Sequence, residues 1–215
     1  ISVYHIFRLL SVGLLGVSRR RKLVPTRWSI TATDTAVANH LLERVKDYEE
    51  VSDLLLYHHT YLGNHFEILL IPRSYAFEVV EIWMPRSVWS KGAKPTVYSV
   101  YELYDAKASA MDGGYYAARL AVVEHLSRMR RQAMALVVRE VYPSYYAPVG
   151  VWQVRENVRA ALRGRPSRFD GLREAIADMG RRLRTPCGGW VNRSRVLRFF
   201  RVQRSLVRWV KWKAR

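Results

Sequence analysis

The residues of this 215-residue chain best suited to chemistry lie in one run, Tyr57-His58-His59-Thr60-Tyr61-Leu62-Gly63-Asn64-His65-Phe66-Glu67. On alternating strand geometry His59 and Tyr61 share a face, and so do His65 and Glu67. Imidazoles gathered with a carboxylate could hold a metal ion or pass a proton, which makes His59, His65 and Glu67 the catalytic candidates. No ligand spacing such as HExxH accompanies them, and histidines on strands commonly serve structure. No metal and no other cofactor is expected.

A second group suits anions. Arg19, Arg20, Arg21 and Lys22 form a compact basic run, with Arg27 and Trp28 close behind. Guanidinium groups grip phosphate at two points, and an indole offers a face for a base. A solvated basic turn beside a core tryptophan uses the same residue types. A third group is Asp112-Gly113-Gly114-Tyr115, with Arg119 further along. Paired glycines ahead of a helix let backbone N–H groups approach an anion, and Arg119 would add a contact about one turn on. The GKS/T ending of a phosphate-binding loop is absent, and an ordinary turn explains the glycines equally well. Cys187, the only cysteine, lies between Pro186 and Gly188 with no histidine near it in sequence. A nucleophilic role is therefore not expected, and a disulfide or a cysteine-based zinc site within the chain is excluded.

The fourth group is the tail, where no acidic residue follows Asp178. In a helical turn Leu206 and the pair Trp209 and Val210 fall on one face, with Gln203 one turn earlier. An aliphatic anchor, an aromatic anchor and a glutamine amide make a short helical plug for a pocket on a partner. This resembles the box used by partners of the replication sliding clamp, except that Val210 stands where a second aromatic is usual. A helix packed on its own domain, or a plain DNA-binding tail, would use the same residues.

These groups need a scaffold. Apolar spacing predicts a buried helix over Ile1–Val17. Pro25 and β-branched neighbours predict an extended or loop-like stretch to Thr31, and Thr33 or Asp34 can cap a helix to about Glu50. Strand patterns cover Leu54–Tyr61, His65–Ile71, Ala76–Met84, Val97–Asp105 and Ala133–Val141, with a hairpin turn at Gly63-Asn64. Helices are predicted over Tyr115–Arg131, Gly150–Leu162 and Arg168–Leu183, and Gly188-Gly189 breaks the chain. The fold class is α+β: a central antiparallel or mixed sheet of about four to five strands, helices before and after it, and an extended basic tail. The expected division is one α+β domain over 1–185 and a basic segment over 186–215.

With 36 Lys and Arg against 18 Asp and Glu the net charge is +18, which points to a polyanionic partner. Apolar residues make up 49% of the chain, too many for a disordered one. The longest apolar N-terminal stretch is interrupted by Arg8 and is about half the length a membrane span needs, so no membrane role is expected. A reducing, cytoplasmic setting fits the single cysteine. The first residue is Ile1, which suggests a region upstream that this sequence does not contain.

The runs SRRRKLVPTRWSITA (18–32), GNHFE (63–67), IPR (71–73), GGYYAAR (113–119) and PVGVWQVR (148–155) together resemble the archaeal Nre family of DNA-repair proteins, from about residue 11 to the end. The resemblance implies DNA as partner, a nucleoid-associated place in the cytoplasm, and docking on the sliding clamp where Gln203, Leu206, Trp209 and Val210 match the box. Many members carry an N-terminal Cys-rich, zinc-finger-like element, which this sequence lacks, and no zinc-dependent activity is carried over. Two other readings stand beside it. One is an enzyme acting on nucleic acid or a nucleotide, whose site would combine Arg19–Trp28, His59, His65, Glu67 and Asp112–Arg119. The other is an RNA- or ribosome-associated basic protein.

Overall fold

The structure is a computed structural model that describes residues 1–202 apart from 18, 20, 89, 91, 105, 106, 147 and 148. The apolar opening forms a shorter and more exposed helix than expected, α1 (Val3–Ser11), in which Val3 alone is buried. Gly13 ends it in the left-handed region at φ 68°, against the backbone of Lys22, and Leu14 and Val17 face solvent. Val3 packs on Ala38 and Leu120.

The stretch expected to be loop-like is instead the start of a long helix, α2 (Thr26–Val45). Pro25 stands at its N-cap, where a fixed φ and a missing N–H cost nothing. Hydroxyls inside the helix bond back onto its own carbonyls, Thr31 Oγ1 to Arg27 O at 3.2 Å and Thr35 Oγ1 to Thr31 O at 2.7 Å. Thr33 and Asp34 are therefore interior residues and not caps. Burial of Ala38, Leu42 and Val45 outweighs the weak helix propensity of this segment. The helix stops at Val45, short of Glu50.

The strands are β1 (Leu54–Tyr61), β2 (Asn64–Ile71), β3 (Ala76–Trp83), β4 (Thr96–Glu102), β5 (Met134–Val141) and β6 (Ser167–Phe169). They form one six-stranded mixed sheet in the order β4-β3-β5-β2-β1-β6. Only β3 and β5 run parallel; the other neighbours are antiparallel. The sixth strand lies outside the five that the sequence predicts. Ser167–Phe169 pairs with Leu54–Leu56, and Gly171 then starts the helix that had been expected from Arg168. Three residues are too few to show a period. The β1–β2 hairpin turns on Leu62 and Gly63, at φ 48° and 65°, one residue before the expected pair. Two successive left-handed residues make the turn whose twist matches the strands.

Both sheet faces are covered, so β2, β3 and β5 are buried along almost their whole length. On one face lie α2, α3 (Gly113–Met129) and α4 (Val151–Arg163), over Phe66, Phe77 and Val137. On the other lie α5 (Leu172–Arg182), α6 (Cys187–Val191) and α7 (Arg195–Val202), over Leu56, Leu69 and Leu136. Gly188 and Gly189 fall inside α6 instead of breaking the chain. Trp190, Val196 and Leu197 are fully buried, so packing onto the sheet continues well past residue 185.

Charged residues inside these strands hold the C-terminal helices. Glu78 on β3 accepts from Ser99 Oγ and Ser194 Oγ at 2.6 Å and from the N–H groups of Arg195 and Val196 at 2.9 Å. Glu140 on β5 accepts from the N–H groups of Arg184 and Thr185 and from Thr185 Oγ1. A buried carboxylate is tolerated only when donors surround it in this way. Among the described residues no helix is long and apolar enough to cross a membrane.

Candidate functional site

The carboxyl ends of β3 and β5 lie where α2, α3 and α4 begin. Gly113 shows how tightly these helix starts meet: a Cβ there would come within 2.9 Å of Val151 Cγ1 on α4 and 3.5 Å of Thr31 Oγ1 on α2. A Cβ on Gly114 would stand 3.2 Å from Glu81 Oε1 on β3. The paired glycines thus serve close packing. Asp112 caps α3 by accepting the Tyr115 N–H at 2.8 Å, so its own carboxylate fills the place an anion would take. Tyr115 is buried edge-on against Phe77. Below them Arg139 donates to Glu81 Oε1 at 2.6 Å and to Asn64 Oδ1 at 2.9 and 2.8 Å, a buried cluster that ties β3, β5 and β2 together.

Arg27 and Trp28 occupy the first turn of α2, which holds no acidic residue. Trp28 is 59% exposed there, with Trp152 on α4 at 42%, Tyr61 on the hairpin at 56% and Tyr146 after β5 at 85%. Tyr142 donates its N–H to Gly63 O, which joins the hairpin to the loop after β5 at this same end. Arg19, Arg21 and Lys22 are exposed, and Arg21 donates Nε to Gly16 O at 3.0 Å. Arg20 and the tail residues Gln203, Leu206, Trp209 and Val210 lie outside the described residues.

Arg119 serves a different place. It lines a pocket of about 690 Å³ between α2, α3 and the chain that follows β4. Its Nε donates to Glu102 Oε1 at 2.5 Å and its Nη1 to Asn39 Oδ1 at 2.9 Å, and Tyr75 OH reaches the same Glu102 oxygen at 2.6 Å. Burial works against the Arg119 charge, but Tyr75 and Glu102 outweigh it and hold its pKa above the ordinary value. Burial, then Glu102, raises the pKa of Tyr75 well above its ordinary value, so Tyr75 donates. Asn39, Tyr75 and Glu102 carried no recognisable spacing in the sequence. Of the three only Glu102 carries a signal, a charge at the end of the strand-like run that becomes β4, since a carboxylate there demands a partner.

The histidines separate. Antiparallel pairing sets Thr60 opposite His65 and His58 opposite Glu67, while His59 stands opposite Phe66. His59 therefore faces α4, where its Nδ1 donates to Asn157 Oδ1 at 2.8 Å. His65 and Glu67 lie on the other face. Glu67 accepts from His65 Nε2 at 2.7 Å and from Arg182 Nε and Nη2 at 2.6 and 2.9 Å. A carboxylate only accepts, so His65 carries a proton on Nε2, and its Nδ1 pairs with the Thr60 hydroxyl at 2.6 Å. The expected trio is thus split by the sheet, because a one-residue step along a strand changes the face. His65 and Glu67 lie across the sheet from Arg119, so the three segments do not share one cleft. Among the described residues no three His, Cys, Asp or Glu side chains gather as a metal site.

The chain is 42% identical over 183 residues to the DNA repair protein NreA of Archaeoglobus fulgidus, covering 85% of this chain and 47% of that protein. It is 40% identical over 182 residues to the NreA of Haloferax volcanii, covering 82% and 43%. It is 37% identical over 208 residues to the DNA repair protein NreB of Archaeoglobus fulgidus, covering 96% and 52%. The chain spans about half the length of these curated relatives. No solved structure matches it. Residues 1–90 match the N-terminal model of archaeal Nre and residues 102–209 the C-terminal one, yet β5 of the second stretch is inserted between β3 and β2 of the first. The two matched stretches build one sheet, and with the second alone covering half the sequence the chain belongs to the archaeal Nre family.

Proposed function

We propose that this chain acts in DNA repair, binding DNA at the end of the fold where α2, α3 and α4 begin and docking on the replication sliding clamp through Gln203, Leu206, Trp209 and Val210. The observation that carries the repair role is the similarity to proteins named for DNA repair, which extends over 82 to 96% of this chain. DNA binding is supported by the net charge of +18 together with four exposed aromatic side chains, Trp28, Tyr61, Tyr146 and Trp152, at one end beside Arg27. Exposed rings next to guanidinium groups suit unpaired bases, which stack while the cations hold phosphate. Clamp docking is supported by the spacing of the tail residues alone. Such work belongs in the cytoplasm, at the nucleoid.

Anisotropy with labelled single- and double-stranded DNA at several salt concentrations tests the interface. Stacking on one ring contributes about 1–3 kcal/mol, so Trp28→Ala should weaken single-strand binding by about 5-fold to 150-fold. Wild-type affinity in both Trp28→Ala and Trp152→Ala would refute the surface assignment, and tighter binding to RNA than to DNA would favour the RNA-associated reading. For the clamp, loss of binding in Leu206→Ala/Trp209→Ala is expected; equal binding by the variant removes that part of the proposal.

A further inference from the structure

The pocket around Arg119 changes character from floor to rim. The floor is Tyr75, Glu102 and Arg119, which are 1%, 6% and 5% exposed. Glu102 and Arg119 neutralise each other at 2.5 Å, so the floor has little net charge. A buried anion would meet Glu102 and a buried cation would meet Arg119. The pair instead offers an acceptor beside a donor: Tyr75 and Arg119 Nε both bond Glu102 Oε1 and Arg119 Nη1 bonds Asn39, bonds that involve neither Glu102 Oε2 nor Arg119 Nη2. The walls are apolar and partly aromatic, formed by Leu42, Leu103, Ala108, Met111 and Tyr116. The exposed Lys107 stands at the rim, where Lys46 holds its Nζ 4.4 Å from the centre of the Tyr104 ring and Glu43 is the one carboxylate among the described lining residues there.

A ligand matched to this order has a flat, neutral buried end with N–H and C=O groups side by side, and an anionic outer end. We propose that the pocket binds one nucleotide, its base edge on Glu102 and Arg119 and its phosphate toward Lys107. Paired donors and acceptors on side chains read base edges in this way, and a volume near 690 Å³ lies in the range of small-molecule pockets. The nucleotide is either a free monophosphate or a unit unstacked from a DNA strand. The second source rests on the DNA-binding reading above, and the first does not.

Calorimetry on the full chain tests this with deoxynucleoside 5′-monophosphates, the matching nucleosides and inorganic phosphate as probes. At least one monophosphate should bind at concentrations on the order of a millimolar or lower, and inorganic phosphate should not displace it. Lys107→Ala should weaken the monophosphate by up to about fivefold, the usual limit for an exposed charge pair, and leave the nucleoside unchanged. Ala108→Trp, which fills the pocket, should abolish both; Lys107→Ala remains informative if that variant does not fold. A single-stranded oligonucleotide that displaces the monophosphate identifies DNA as a source, and one that binds without displacing it identifies the free nucleotide. The proposal is overturned if no monophosphate binds, if inorganic phosphate competes equally, or if a folded Ala108→Trp binds like wild type. Failure of the DNA interface is a separate result: oligonucleotides would then not bind at all while the monophosphate still does.

Discussion

Glu78 should be among the most sensitive positions in this protein. Its side chain is fully buried on β3, and four donors converge on it. Oε1 takes Ser99 Oγ and the Arg195 N–H; Oε2 takes Ser194 Oγ and the Val196 N–H. Glu78→Gln keeps the shape and replaces one oxygen by an amino group. The hydroxyls can turn, but the backbone cannot. Whichever way the amide is set, the N–H of Arg195 or of Val196 faces another donor. One buried unsatisfied N–H, together with weaker bonds to a neutral acceptor, costs about 2–4 kcal/mol. That is a large share of a domain stability of about 5–15 kcal/mol. The loss should be concentrated where the bonds are, because Glu140 still holds Arg184 and Thr185. Urea denaturation should show the lower midpoint, and amide exchange should accelerate over residues 193–202 more than over β5. A midpoint within about 0.5 kcal/mol of wild type, with unchanged exchange in α7, would refute the reasoning.

Stability should also respond to pH through two groups of opposite sign. Burial, opposed by Arg155, raises Asp34 from 3.8 to about 6, and burial, helped by Arg128, lowers His125 from 6.5 to about 4. Between these limits the folded chain keeps an Asp34 proton that the unfolded chain has released, so this contribution falls as pH rises from about 4 to 6. The unfolded chain holds a His125 proton that the folded chain lacks, so that contribution rises over about pH 4 to 6.5. Each amounts to about 3 kcal/mol and they nearly cancel. His125→Gln should therefore become less stable from about pH 4 to 6 and level above, as read by urea midpoints; a profile parallel to wild type would contradict the assignment. Gly63→Ala should cost about 2–4 kcal/mol, since φ is 65° and the new Cβ would stand 2.5 Å from Tyr145 N; a thermal midpoint like wild type would show that the loop yields.

Much of the scaffold was legible in local pattern. Alternation and β-branched runs marked five strands to within a few residues, and the glycine near residue 63 marked the hairpin. The helix from Thr26 was not legible, because its stability comes from burying Ala38, Leu42 and Val45 and not from the propensity of Thr26–Thr31. Strand β6 escaped because three residues carry no period, and only pairing with Leu54–Leu56 makes them a strand. The family was legible from the runs at 18–32 and 113–119.

The sequence by itself determined the charge, the α+β class, the family and the residue types able to meet phosphate or bases. It could not say which of those types would meet each other. Pairing register put His59 on one side of the sheet and His65 with Glu67 on the other, because adjacent residues on a strand point to opposite faces. The tight meeting of α3 with α4 used Gly113 for packing, and Asp112 occupied the helix start. Arg119 found Glu102 on β4 and Asn39 on α2, and Tyr75, just before β3, bonds the same Glu102 oxygen. A pocket is made by side chains distant in sequence and near in space, so its chemistry was decided only when the sheet order and the helix packing brought them together.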